Sequence, residues 1–232
     1  MTTPVLLVHG AFTGAWIWDR VIAELDALGV PATAINLPSR APGATLAADA
    51  QAVRDALKGM DAPAVLVGHS YAGVVITEAS ADNDDVAALV YVCAALPGQG
   101  ESVSTLLARD PEPGDLGSAM KAGDDGTATL TRDGAKANLF NDATDEDASP
   151  TLDALGPHAV ATLAEPVTRL GWQQHPSTYV ITLQDKSFSP ALQREFATHT
   201  TQAVEIDCGH GAMLTKPTEL AHVIASAAQD AN

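Results

Sequence analysis

Apolar residues recur along this chain in two alternating rhythms. Continuous short runs come first, in Val5-Leu6-Leu7-Val8, Ala64-Val65-Leu66-Val67 and Ala88-Leu89-Val90-Tyr91-Val92-Cys93. Such runs suit strands buried on both faces of a parallel sheet. Ala32 to Leu37, closed by Pro38, Thr178 to Leu183, and Ala203 to Ile206 complete a set of about six strands. Between them the spacing changes to three and four. Ile17, Val21, Leu25 and Leu28 predict a helix over Trp16 to Leu28, stopped by Gly29. Leu46, Val53 and Leu57 predict another, capped by Thr45 and running to about Lys58. Further helices are expected from Tyr71 to about Ala81, Pro190 to about Ala197 and Lys216 to about Ala228. Strands alternating with helices predict an α/β fold with a doubly wound, mainly parallel sheet.

One stretch breaks the rhythm. Residues 98–176 separate two core strands and are rich in Gly, Pro and Asp, as in Asp110-Pro111-Glu112-Pro113-Gly114-Asp115. Ordinary connections run to about 4–6 residues, so this one is expected to be a cap inserted into a core made of 1–97 and 177–232. Its second half carries Leu155, Val160, Leu163, Leu170 and Trp172, apolar enough to wall a pocket, with Leu163 and Trp172 as the candidate pocket residues. Residues 110–126 look poorly suited to packing and read as a lid.

Charge narrows the partners. Acidic residues outnumber basic ones by 29 to 12, a formal net charge of −17. Such a surface repels nucleic acid phosphates and anionic membranes, leaving small molecules as the expected partners. A homodimer is compatible with the sequence. Cys93 and Cys208 lie in separate strands without C-x-x-C spacing and are expected to be buried free thiols of a cytoplasmic protein. Met1-Thr2-Thr3-Pro4 has no basic leader, and the apolar run after it is too short for a signal peptide or membrane span.

The third strand leads directly into Gly68-His69-Ser70-Tyr71-Ala72-Gly73 and then into an apolar helix. A strand, a tight turn holding a serine among small residues, and a helix form a nucleophile elbow. The turn lifts the hydroxyl off the sheet in a strained backbone, which explains the small Gly68, Ala72 and Gly73 around it. Serine is a weak nucleophile at neutral pH and needs a base oriented by a carboxylate. In such sheets both come from loops at the C-terminal ends of strands. His210, held between Gly209 and Gly211 beyond the last strand, is the candidate base. Asp185, directly after Thr178 to Gln184, is the candidate acid, and Asp207 reads as a local turn ligand. An oxyanion hole needs two backbone N–H groups aimed at the developing charge. Tyr71 supplies one, and the loop His9-Gly10-Ala11-Phe12 the other, from Ala11 first and Phe12 second. His9 is expected to be a hydrogen-bonding residue of that loop. No His or carboxylate spacing suggests a metal, so neither a metal nor an organic cofactor is expected.

Together Val5 to Ala11, Gly14-Ala15-Trp16-Ile17-Trp18, Gly68-His69-Ser70, Asp185-Lys186, Gln193-Arg194 and Gly209 to Leu214 resemble the α/β-hydrolase superfamily. They are most similar to the plant methylesterase and hydroxynitrile lyase group and its bacterial esterase relatives. The resemblance covers about residues 4–97 and 177–228; the cap diverges. Within that group lyases carry a threonine after the oxyanion-loop histidine and a lysine after the catalytic one, where this chain has Gly10 and Gly211. The resemblance implies a serine hydrolase cleaving a small carboxylic ester through an acyl-enzyme. Its rivals are other cofactor-free chemistry on the same triad, such as C–C or cyanohydrin cleavage, and a ligand receptor of the same fold with negligible turnover.

Overall fold

The computed structural model describes residues 2–231. Nine strands and nine α-helices alternate through most of the described chain. The core begins with β1 (Val5–Val8), α1 (Asp19–Ala27), β2 (Ala32–Ile35), α2 (Leu46–Lys58), β3 (Ala64–His69), α3 (Ala72–Ser80) and β4 (Val86–Val92). The insertion holds α4 (Val103–Leu107), β5 (Met120–Ala122), β6 (Thr127–Leu130), α5 (Arg132–Leu139), α6 (Asp145–Asp153) and β7 (His158–Ala159). The chain then returns to the core with β8 (Ser177–Thr182), α7 (Pro190–Ala197), β9 (Gln202–Ile206), α8 (Ala212–Thr215) and α9 (Pro217–Asp230).

The six core strands form one sheet in the order β2-β1-β3-β4-β8-β9. Every neighbouring pair in it is parallel. The continuous apolar runs serve both faces, because successive side chains point to opposite sides. Val5, Leu7, Val65, Val67, Val90 and Val92 pack with Val21 and Leu25 of α1 and Leu220 and Ile224 of α9. Leu6, Val8, Leu66, Leu89 and Tyr91 meet the other layer, through Val53 and Leu57 of α2, Ile76 of α3 and Leu192 and Phe196 of α7. This is the expected doubly wound α/β sheet.

Local differences have local causes. The first helix was expected from Trp16, but Ala15–Trp18 form a 3₁₀ turn and α1 starts at Asp19. Gly14 ahead of that turn is extended and offers no side-chain cap, so the entry tightens before the α-helix takes over. Beyond the fourth strand the insertion builds its own antiparallel sheet, β5-β6-β7. The 110–126 stretch meets the core at its start, while most of its later residues are exposed. Asp110 is buried and accepts from the Ser189 and Glu112 amides at 2.9 Å each, and Asp115 N–H donates to Asn138 at 3.3 Å. Gly114 lets the stretch pass close to the core, since a Cβ there would lie 1.9 Å from Lys186 O. No helix among the described residues is long and apolar enough to cross a membrane.

Candidate active site

Ser70 occupies the turn between β3 and α3 with φ of +55°, a left-handed conformation costly for a residue with a Cβ. Its surroundings hold it there. The Ser70 amide donates to Val92 O at 3.2 Å, and its carbonyl accepts from the amides of Gly73 and Ala95 at 3.0 Å each. A Cβ on Gly73 would lie 2.1 Å from Ala95 O, so only glycine lets α3 start this close to the loop after β4.

His210 lies beyond β9 and is 1% exposed. Its Nδ1 is 2.8 Å from Oδ2 of Asp185, itself in the loop after β8. The carboxylate is firmly oriented. Its Oδ1 accepts from the amides of Ser187 at 2.6 Å and Phe188 at 3.0 Å. Its Oδ2 accepts also from the Thr182 hydroxyl and from Gln193 Nε2, both at 2.9 Å. An acceptor-only carboxylate makes Nδ1 the protonated ring nitrogen, leaving Nε2 with a lone pair. That Nε2 is buried and has no hydrogen-bond partner among the described residues. His69, the residue before Ser70, donates from Nε2 to His210 O at 3.0 Å, and the two rings are 4.7 Å apart. The elbow and the His210 loop are therefore joined directly. Asp207 goes elsewhere, accepting from Gln184 Nε2 at 2.8 Å on the surface.

Cys93 also points to this junction, with Sγ donating to His210 O at 3.4 Å. Ligand atoms of His69, Cys93 and His210 lie within 4.8 Å of one another. Burial pushes the Cys93 thiol well above its ordinary range and His69 well below its own, so both stay neutral. Both cysteines are free and buried.

The loop after β1 is fixed from several sides. The Leu37 amide donates to His9 Nε2 at 3.0 Å, so the ring proton is on Nδ1, which donates to Gly10 O at 2.7 Å. Burial lowers the His9 pKa to about 4, keeping the ring neutral. Thr13 Oγ1 also donates to Gly10 O, at 3.0 Å, and Arg40 donates to Thr13 O. A Cβ on Gly10 would lie 2.9 Å from His69 Nδ1 and 3.0 Å from Ser70 Cβ, so the loop passes over the serine with no room for a side chain. Gly211 is equally confined, since its Cβ would stand 2.6 Å from the Phe140 ring.

Ser70, Ala11, Phe12 and Tyr71 form the floor of a cavity of about 490 Å³. Ser187 and Phe188 line it from the core, and Val103, Leu107, Leu116, Met120, Val160 and Leu163 from the insertion. No charged side chain faces it among the described residues. Leu163 is thus a wall residue, but Trp172 is not. Its indole donates to Pro97 O at 3.0 Å, and its ring meets His199 and the core layer beneath α3. Leu155 and Leu170 likewise pack into the two core layers. Pro113, Gly114, Leu116 and Gly117, from the stretch read as a lid, also line the cavity.

Behind Tyr71 lies a polar cluster that no motif announced. Tyr71 donates its phenol to Asp49 Oδ2 at 2.8 Å, and the Ser39 amide donates to Asp49 Oδ1 at 2.8 Å. Burial raises the Asp49 pKa and that of the Tyr71 phenol. Thr182 and Gln193 were equally silent as supports of the acid. The Thr182-x-x-Asp185 spacing, a hydroxyl three residues before a carboxylate, is the one local signal for them.

The alpha/beta hydrolase family model matches residues 5–223. The chain belongs to the alpha/beta hydrolase family. Over 95% of its length it is 30% identical to 98% of a carbendazim hydrolyzing esterase from Nocardioides sp.. It is 33% identical to methylesterase 7 of Arabidopsis thaliana over 103 residues, 40% of each chain. Among solved structures it is similar in fold to a pyrethroid hydrolase from Sphingobium faniae, with a TM-score of 0.84 and 21% identity, covering 99% of this chain and 98% of that one.

Proposed function

We propose that this chain hydrolyses an uncharged, largely apolar carboxylic ester through a Ser70-His210-Asp185 triad. One observation carries the reading: the buried Asp185–His210 pair, at 2.8 Å, leaves Nε2 unpartnered in a loop bonded through His69 to the elbow, whose Ser70 lines an apolar cavity. Ser70 Oγ attacks the ester carbonyl while His210 Nε2 takes its proton. Asp185 holds the ring in the Nδ1–H tautomer and stabilises the imidazolium as it forms. The Ala11 and Tyr71 amides, with Phe12 as the nearest substitute, receive the oxyanion. His210 then returns the proton to the leaving alcohol, and water, activated by the same nitrogen, releases the acid from Ser70.

Cyanohydrin cleavage is disfavoured by two crowded positions. The side chains that the lyase pattern places after His9 and after His210 would collide with His69 and Ser70 in one case and with Phe140 in the other. The apolar wall and the acidic surface both disfavour an anionic substrate. Purified protein assayed on a panel of esters graded in size and charge should turn over neutral apolar members fastest. A fluorophosphonate should label the wild type at Ser70, and Ser70→Ala should lose both labelling and hydrolysis. Labelling at another serine, with Ser70→Ala still active, would overturn the assignment. Burst acylation without turnover would identify a receptor.

A further inference from the structure

The insertion reaches past the cavity wall to the oxyanion loop. Gly156 N–H donates to Phe12 O at 2.9 Å, holding a residue whose φ of +64° is itself left-handed. Two residues on, His158 of β7 is 1% exposed. Its ring centroid is 4.7 Å from that of Tyr71, edge-on at 75°, and 5.5 Å from that of Phe12. One imidazole therefore touches both a side chain of the loop after β1 and the side chain that follows the nucleophile.

The imidazole is itself fixed. The Thr162 hydroxyl has one proton and donates it to Ala159 O at 2.8 Å. It therefore accepts from His158 Nε2–H at 3.0 Å, which leaves Nδ1 without a proton or a partner among the described residues. Tyr71 is gripped from the opposite side by Asp49 of α2. Two elements outside the elbow thus set the position of Tyr71, one of them in the insertion.

We propose that His158 is a positioning residue: wedged against Phe12 and Tyr71, it sets from the cap the spacing of the amides that receive the oxyanion. This rests on reading those amides as the donors. An oxyanion hole acts only if its donors stand where the charge will develop, and losing one donor costs about 10²–10³ in kcat. Letting the donors drift should cost somewhat less. Because charge appears only in the transition state, substrate binding should hardly change.

The test compares His158→Ala, His158→Phe and Thr162→Val on the best ester of the panel, with Ser70→Ala as control. His158→Ala should lower kcat about 10–100-fold with KM within about twofold. Its affinity for an alkyl boronic acid, which becomes tetrahedral on the serine, should fall by a similar factor. His158→Phe keeps the ring between Phe12 and Tyr71 and should recover most of both losses. Thr162→Val frees the imidazole, removes a cap hydroxyl that also meets the Tyr71 phenol, and should shift kcat and boronate affinity in the same direction as His158→Ala, by less. If His158→Ala does not fold, the Thr162→Val and His158→Phe pair decides alone. A loss confined to KM, or unchanged kcat and boronate affinity in both His158→Ala and Thr162→Val, would overturn the inference. An active Ser70→Ala would instead remove the parent reading. Should Ser70→Ala be dead while His158→Ala matches wild type, only the positioning role fails.

Discussion

At the scale of single residues, the acid is the sharpest case. Asp185 follows β8 and Asp207 follows β9, yet one holds His210 at 2.8 Å and the other a surface glutamine. Asp185→Asn would put an amide against Nδ1 and favour the wrong tautomer, and the triad template loses about 10⁴ in kcat for that change. Asp207→Asn should leave kcat within about twofold of wild type. Steady-state kinetics on both variants check the pair, and a reversal of the two effects would move the acid to Asp207. Ser70, Asp185 and His210 could be singled out as candidates because each follows a strand that ends at a definable residue, and the fold brings the Asp185–His210 pair together. Thr182, Gln193, Asp49 and His158 were not. Their roles depend on which helix or cap edge folds back over them, and a lone polar residue in an apolar stretch does not carry that information.

Elements were read from period more safely than from composition. The double-sided strands and amphipathic helices appear where the spacing placed them, because burial on one or two faces leaves a direct mark on the sequence. Cap packing leaves no such mark. Asp, Gly and Pro in 110–126 read as a lid, and the composition alone did not show that Asp110 is buried or that Pro113, Gly114, Leu116 and Gly117 line the cavity. Trp172 looked like a wall residue on hydrophobicity alone, yet it pins the end of the insertion to Pro97. Two substitutions therefore separate. Leu163→Ala should change the kcat/KM ratio between bulky and small acyl esters by roughly tenfold, in line with about 1–3 kcal/mol for a pocket contact. Trp172→Ala should leave that ratio unchanged and lower Tm by several degrees, as loss of packing does in a domain of this size. An ester panel and a melting curve on each variant test the division, and a ratio shift in Trp172→Ala would return it to the pocket.

For the whole molecule, the buried histidines couple stability to pH. His9 is held near 4 and His158 near 3 by burial, and His69 lies well below the ordinary value for the same reason. In the unfolded chain each would titrate near about 6.5. Above that pH all three are neutral in both states and add no pH dependence. Below it the unfolded chain takes up protons that the native fold refuses, so stability falls as pH falls, until the native pKa of each is reached. Each contributes about 1.4 kcal/mol per pH unit within its window, so lowering pH from 7 to 5.5 should remove roughly 4 kcal/mol from the three together. Asp49 acts in the opposite sense. Its raised native pKa lets the fold keep a proton the unfolded chain gives up, so it favours the native state as pH falls toward the ordinary carboxylate range. Relief of repulsion among the 29 acidic side chains works in the same direction as Asp49, and over the same low range. Between pH 7 and 5.5 carboxylates of ordinary pKa scarcely titrate, and the three histidines together should outweigh Asp49. Thermal or urea unfolding at fixed ionic strength should therefore show stability declining across that interval. His158→Phe, which cannot protonate, should reduce the slope by roughly a third. A flat profile in the wild type, or an unchanged slope in His158→Phe, would mean that these rings are protonated or solvated in the native state.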